Sequence, residues 1–307
     1  MRITFSMQTN ETLQNVNDQQ EQINTLSQQI SSGKLMSSPS DSPLAWSESM
    51  NANQTLREYN SFLSNINFAT GWGQTTESAL SQLSDLLTQA KGVAEEATSA
   101  AGESESSALA SEVNGILKQA MTIANTQYDG QYVFAGTSTD SQPYSIDNST
   151  GVVTYSGNTS SLQVKTSTSG VSAGGMSTVN LTGEDVFGTP GGSNDVLNQI
   201  WSLGQALSNG NSTAVSNSIT TLSNAFNQVN DQLTTIGANV SALSNQQSAL
   251  NTLVTNETGF LSGIQDTDVA SATVKLSQAQ TSFQAALKVT SILDSLNLSS
   301  ILSGSSS

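Results

Sequence analysis

A few short stretches of this 307-residue chain carry residue types that could do chemistry. Ser31-Ser32-Gly33-Lys34 contains a Ser-x-x-Lys pair, in which a lysine amine can take the proton of a nucleophilic hydroxyl. Asp266 and Asp268 are two closely spaced carboxylates of the kind that ligate a hard cation. Asn148-Ser149-Thr150, Asn158-Thr159-Ser160 and Asn180-Leu181-Thr182 match the Asn-x-Ser/Thr glycosylation acceptor. Their surroundings argue against each. No Lys-Thr-Gly partner follows the Ser-x-x-Lys pair, and Lys34 reads instead as a favourable charge at a helix C-terminus. A calcium loop needs a glycine and a distal glutamate at set positions after Asp266, and neither is in place, so both aspartates read as helix caps. The acceptor triplets are what chance gives in a chain nearly half Ser, Thr, Asn and Gln.

The chain has no Cys and no His. A thiolate nucleophile, a disulfide, a Cys or His metal site and the commonest general base are therefore excluded, which argues against an enzyme and for no metal or cofactor. The net charge of −16, from 24 acidic and 8 basic residues, repels phosphate backbones and anionic lipid, so neither nucleic acid nor a membrane is expected as a partner. The opening residues Met1-Arg2-Ile3-Thr4-Phe5-Ser6-Met7-Gln8 lack an apolar signal region, and no run reaches the roughly 18 apolar residues of a membrane helix. On this reading the chain is cytoplasmic or leaves the cell without a cleaved signal.

The elements that must position these residues are read from apolar spacing. Ile219, Phe226, Leu233, Val240, Gln247, Val254 and Leu261 form one seven-residue series, and Leu222, Val229, Ile236, Leu243, Leu250, Glu257 and Ile264 form another. Twelve of these fourteen positions are apolar, against about five by chance at 35% hydrophobic content. A helix over 219–264 would run about 69 Å, which implies a rod. Gln247 and Glu257 interrupt the seam, either as register or partner selectors or because the helix is partly exposed there. The register then slips at Gln265–Asp268 and resumes through Val269, Leu276, Phe283 and Thr290 with Ala272, Ala279, Ala286 and Leu293. Leu287 lies on the same helix, and a frayed tail is expected over 303–307. The slip predicts a hinge at Asp266 and Asp268.

The N-terminal end has a matching, weaker seam of Leu13, Val16, Ile23, Leu26 and Ile30, ending at Ser32–Gly33. A loop through Pro39 and Asp41 follows, with Ser40 or Asp41 placed to cap a helix that has Pro43 near its first position. That helix carries Leu56, Tyr59, Leu63 and Ile66, is expected to bend at Gly71-Trp72-Gly73, and continues through Leu80, Leu83 and Leu87 to a turn near Gly102. Trp46, Trp72 and Trp201 read as packing anchors between helices. A further helix shows Leu109, Val113, Ile116, Ala120 and Ile123. Between about 130 and 192 the composition turns to β-branched residues and turn formers, with strands predicted at Tyr132–Phe134, Val152–Tyr155 and Leu162–Lys165. Helix resumes near Asp195. The predicted fold is mainly α with a β insertion: a long antiparallel helical bundle, or coiled-coil rod, formed by both chain halves. Its expected parts are terminal helices (1–40 with 266–307), a helical rod (41–129 with 193–265) and a β-rich insert (130–192).

Several blocks, in order along the chain, resemble the bacterial flagellin superfamily. Leu26-Ser27-Gln28-Gln29-Ile30-Ser31-Ser32-Gly33-Lys34 resembles its N-terminal helix end. Pro39-Ser40-Asp41-Ser42-Pro43 resembles the Pro-Ser-Asp-Asp-Pro signature that follows, with Ser42 in place of the second Asp. Asp129-Gly130-Gln131-Tyr132-Val133-Phe134-Ala135-Gly136, Leu181-Thr182-Gly183-Glu184-Asp185-Val186-Phe187-Gly188 and Asp266-Thr267-Asp268-Val269-Ala270 with Gln278–Ala286 are similar to the branch at the junction of hook and filament. The resemblance implies an extracellular structural subunit, exported by the flagellar type III route with the help of an export chaperone. Its terminal helices would be disordered when free and would order on assembly. It further implies a ring of its own copies between hook-associated protein 1 and flagellin. A short filament-forming flagellin is one alternative. A type III coiled-coil effector or translocator is another, but it would need an apolar hairpin this sequence lacks.

Overall fold

The computed structural model describes residues 2–99, 103–147, 152–167 and 175–304. The turn expected near Gly102, the Asn148-Ser149-Thr150 triplet, Gly151, Gly174 and residues 305–307 lie outside them. Among the described residues, seven helices and six short strands follow in the order α1 (Arg2–Ser32), α2 (Pro43–Ser99), α3 (Glu103–Ala124), β1 (Gln127–Tyr128), β2 (Gln131–Tyr132), β3 (Tyr144–Ile146), β4 (Val153–Tyr155), β5 (Gln163–Lys165), β6 (Met176–Thr178), α4 (Gly183–Phe187), α5 (Val196–Ser208), α6 (Ser212–Gln265) and α7 (Val269–Gly304). The fold is mainly α with a β insertion. It divides into two units, 1–57 with 254–307 and 58–253.

The larger unit holds a continuous apolar core. Of the two heptad series on α6, Leu222, Val229, Ile236, Leu243 and Leu250 are buried, while Ile219, Leu233 and Val240 flank the core and Phe226 is exposed. One series makes the seam and the other its shoulder, because the β hairpins and shorter helices cover only part of the second face. The α2 side supplies Phe62, Ile66, Ala69, Trp72, Leu80, Leu83 and Leu87, and α3 and α5 add Val113, Ile116, Leu197, Ile200 and Leu203. Trp72 is fully buried and stacks obliquely on Phe68 at 5.7 Å and edge-on to Tyr128 at 6.2 Å, whereas Trp46 and Trp201 are half-buried.

α2 runs unbroken through Gly71–Gly73, from Pro43 to Ser99. The glycines serve packing. A Cβ on Gly71 would run into the Tyr128 ring, and one on Gly73 would sit 2.6 Å from Val240 Cγ2. A missing side chain here admits a neighbour without interrupting the helix.

Among the described residues the β insertion forms three antiparallel two-stranded pairs, β1–β2, β3–β4 and β5–β6. Strands were expected at Tyr132–Phe134, but only Tyr132 is paired; Val133 and Phe134 turn inward and are fully buried. The first hairpin turns at Asp129 and Gly130, both with positive φ. Asn125, at the end of α3, anchors β3 by donating to the Tyr144 carbonyl at 2.9 Å and accepting its N–H at 3.0 Å. The short helix α4 has a capping box: Thr182 accepts from the Asp185 N–H, and the Asp185 carboxylate accepts from the Thr182 N–H at 2.9 Å.

Candidate assembly site

The smaller unit is built on α1 and α7, which pack with Cα separations within 8 Å. Leu26, Ala272 and Ala279 are buried between them, and Ile23, Ile30 and Leu276 are half-buried alongside. Alanine at two positions of the α7 seam permits the close approach. Away from this patch the seam opens. Val16 and Phe283 are half-buried, and Leu13, Val269 and Leu287 are exposed. The side chain of Leu293 lies outside the described residues.

The two breaks read from the sequence form one joint. Gly33 ends α1 with φ +69°, the left-handed conformation open to glycine. The chain then pairs with the segment between α6 and α7. Leu35 N–H donates to the Gln265 carbonyl at 2.7 Å and Thr267 N–H to the Gly33 carbonyl at 2.9 Å, around an antiparallel bridge of Lys34 with Asp266. Gln29 seals the joint by donating its amide to the Leu35 carbonyl at 2.9 Å, and Met36 is buried beneath. Sequence reasoning missed Gln29, Leu35 and Met36, because a main-chain bridge leaves no side-chain signature.

The loop carboxylates have separate tasks. Asp268 caps α7, its Oδ1 accepting from the Ser271 N–H at 3.1 Å. Asp266 accepts the Ser262 hydroxyl one turn back along α6. Asp41 faces upstream and does not cap α2: its Oδ2 accepts from the Ser37 and Ser38 N–H groups at 2.8 and 2.9 Å, and its Oδ1 from the Ser38 hydroxyl at 2.9 Å. These N–H donors hold its carboxyl below the usual aspartate value. Pro43 is the first residue of α2, where its missing N–H costs nothing, and Pro39 is an exposed loop residue. Ser31, the would-be nucleophile, donates to the Gln28 carbonyl at 3.1 Å, and the Lys34 N–H bonds to Ser32 Oγ at 3.2 Å. These hydroxyls close the end of a helix.

The distribution of apolar surface sets this unit apart. Among the described residues, 11 of the 15 exposed large hydrophobic side chains belong to it, but only two of the 35 buried ones do, Leu26 and Met36. Met7, Leu13, Leu44, Met50, Phe260, Val269, Val274, Leu287, Val289 and Ile292 all face outward. Among the described residues no group of acidic side chains could hold a metal ion, and no helix is long and apolar enough to cross a membrane.

Residues 3–139 match the family model for the bacterial flagellin N-terminal helical region, and residues 219–302 match that for the C-terminal helical region. The chain is 29% identical over 153 residues to the flagellar hook-associated protein 3 of Salmonella typhimurium, a match that takes in 49% of this chain and 48% of the relative. It spans about half the length of the curated relatives it matches. Its fold is similar to that of a putative flagellar hook-associated protein from Vibrio parahaemolyticus, with TM-score 0.66 at 20% identity over 74% of this chain and all of that one. It is also similar to the flagellar junction protein FlgL from Legionella pneumophila, with TM-score 0.56 at 15% identity over 71% of this chain and 99% of that one. The matched N- and C-terminal regions hold both helices of the α1–α7 pair and the joint that closes it, and the chain belongs to the bacterial flagellin superfamily.

Proposed function

We propose that this protein is a structural subunit of the junction between flagellar hook and filament. It joins hook-associated protein 1 on the hook side to flagellin on the other, as a ring of its own copies outside the cell. The observation that carries the reading is the inverted apolar distribution of the smaller unit, whose large hydrophobic side chains lie mostly on its surface. An exposed apolar face of that extent on two long helices stabilises little in a lone chain and a good deal once neighbours cover it. Equivalent helices from further copies are the natural cover, and repeated head-to-tail contacts close into a ring or continue as a helical tube. The names of the curated relatives favour the junction over the filament itself.

The terminal helices α1 and α7 form fully only on assembly. Among the described residues their mutual core is three buried side chains, two of them alanine, which offsets little of the ordering entropy of two helices of 31 and 36 residues. Export by the flagellar type III route requires an unfolded chain, and a weakly structured terminus with a chaperone on its apolar face suits that route. The flagellin helical regions that the chain matches support a structural role. Deleting the gene tests this directly. Cells should make hooks without filaments and shed flagellin monomers into the medium. Hooks bearing normal filaments would sink the proposal, and loss of filaments with no shed flagellin would favour a short flagellin.

A further inference from the structure

A row of equally spaced apolar residues does not define its own register. On α6 the buried positions Leu222, Val229, Ile236, Leu243 and Leu250 recur every seven residues, so this stripe by itself does not distinguish one alignment of α6 along α2 from another one heptad away. α2 and α6 are separated in sequence by α3, the three hairpins, α4 and α5, so no short turn sets their alignment. Something else in the larger unit must.

Four amide side chains, Asn65, Asn67, Gln246 and Gln247, supply links of that kind. Gln247, the polar residue in the flanking heptad series, donates across the helix pair to Asn67 Oδ1 on α2. Its neighbour Gln246 reaches the other way to the β5–β6 hairpin, donating to the Thr166 carbonyl at 3.2 Å and to Thr166 Oγ1 at 3.1 Å. From α2, Asn65 donates to the carbonyl of Lys165 on the same hairpin at 2.7 Å. Thr166 is itself buried, with its N–H on the Gly175 carbonyl at 2.8 Å. The Lys165 ammonium lies 5.7 Å from the centre of the Phe62 ring. Helix to helix, helix to hairpin and hairpin to helix, the bonds close a triangle.

We propose that the β5–β6 hairpin and these amides form a strap that selects the register of α2 against α6. A one-heptad slip would set Val240 or Val254 beside the exposed Asn67 and part the hairpin from one of the two helices, and the loss falls chiefly on the half-buried Gln246 and the buried Thr166 it bonds. The Gly73 notch, which takes Val240, belongs to the same register. Neither Gln247 nor Asn67 adds apolar burial, so the pair trades seam stability for uniqueness, as single polar residues do in coiled coils.

Two double variants of the full chain test this. Asn67→Leu with Gln247→Leu makes the seam uniformly apolar, and Asn65→Ala with Gln246→Ala frees the hairpin. The first should keep or raise the thermal midpoint yet exchange the amides of 58–67 and 243–253 about tenfold faster and split their NMR resonances, as registers interconvert. The second should do the same with a lowered midpoint. In both, the amides of 109–124 and 196–208 should keep their protection. A single resonance set with unchanged protection in both variants would overturn the strap, as would a loss of protection spread evenly over α3 and α5. Thr166→Ser, which keeps the hydroxyl, should behave as wild type, and Thr166→Val should resemble the freed hairpin.

Discussion

Asn158 and Asn180 show how a polar chain spends its side chains. Both stand in sequences that match glycosylation acceptors, yet both amides are occupied. Asn180 is buried, accepts the Leu162 N–H at 2.7 Å and donates to the Gly136 carbonyl at 3.3 Å. Asn158 donates to the Thr137 and Ser138 hydroxyls at 3.0 and 2.8 Å. Asn180→Ala should cost about 2 kcal/mol, the penalty of leaving buried partners unsatisfied, and a thermal melt checks it. Two aspartates titrate in opposite senses. N–H donors lower the Asp41 carboxyl, so its contribution is present above pH 3.8 and is lost as pH falls through the folded value. Burial is the largest influence on Asp195 and raises its carboxyl, although it accepts the Gly191 and Asn198 N–H groups at 2.8 and 3.0 Å. Its contribution is therefore complete below pH 3.8 and declines as pH rises through the folded value. On acidification the amides of Ser37 and Ser38 should lose exchange protection, while those at the start of α5 hold theirs. Both losing protection together would contradict these signs.

At the scale of elements, regular spacing was readable and close contact was not. Buried Leu222, Val229, Ile236, Leu243 and Leu250 follow one of the two heptad series read from the sequence, because a period of seven on a helix leaves one continuous stripe. The packing role of Gly71 and Gly73 was not legible, since only the position of Tyr128 and Val240 reveals it. The hairpins are two or three residues per strand, too short for alternation to register. The capping box of Thr182 and Asp185 at the start of α4 was visible as Thr-x-x-Asp and went unread. Gly73→Ala should destabilise the larger unit by about 1–3 kcal/mol through overpacking against Val240, despite the better helix propensity of alanine. A gain in denaturation midpoint would refute the notch.

For the whole molecule, nearly all buried apolar side chains lie in residues 58–253, including one continuous cluster from Phe62 to Leu250. That unit should hold its fold without the other. A chain trimmed of 1–57 and 254–307 should melt within a few degrees of the full-length protein, and circular dichroism should lose no more helix on trimming than terminal helices formed only in part would contribute. A larger loss would mean that α1 and α7 are ordered in the free subunit. The outward-facing residues of the assembly site were legible as types and spacings, since Leu13, Val269 and Leu287 all lie on heptad-like helices. Their exposure was not, because a sequence does not say whether a seam is closed by its own chain or left for another.

The main-chain bridge between Gly33–Leu35 and Gln265–Thr267 has an engineering consequence. Backbones paired in this way lie about 5 Å apart, so the interior of the chain leaves the terminal helices and returns to them through a gap that a short turn can span. The interior is thus a removable cassette. Any foreign domain whose own ends lie side by side could be grafted between Met36 and Gln265, to be carried and displayed by a helix pair that keeps both bridge bonds and the Gln29 seal.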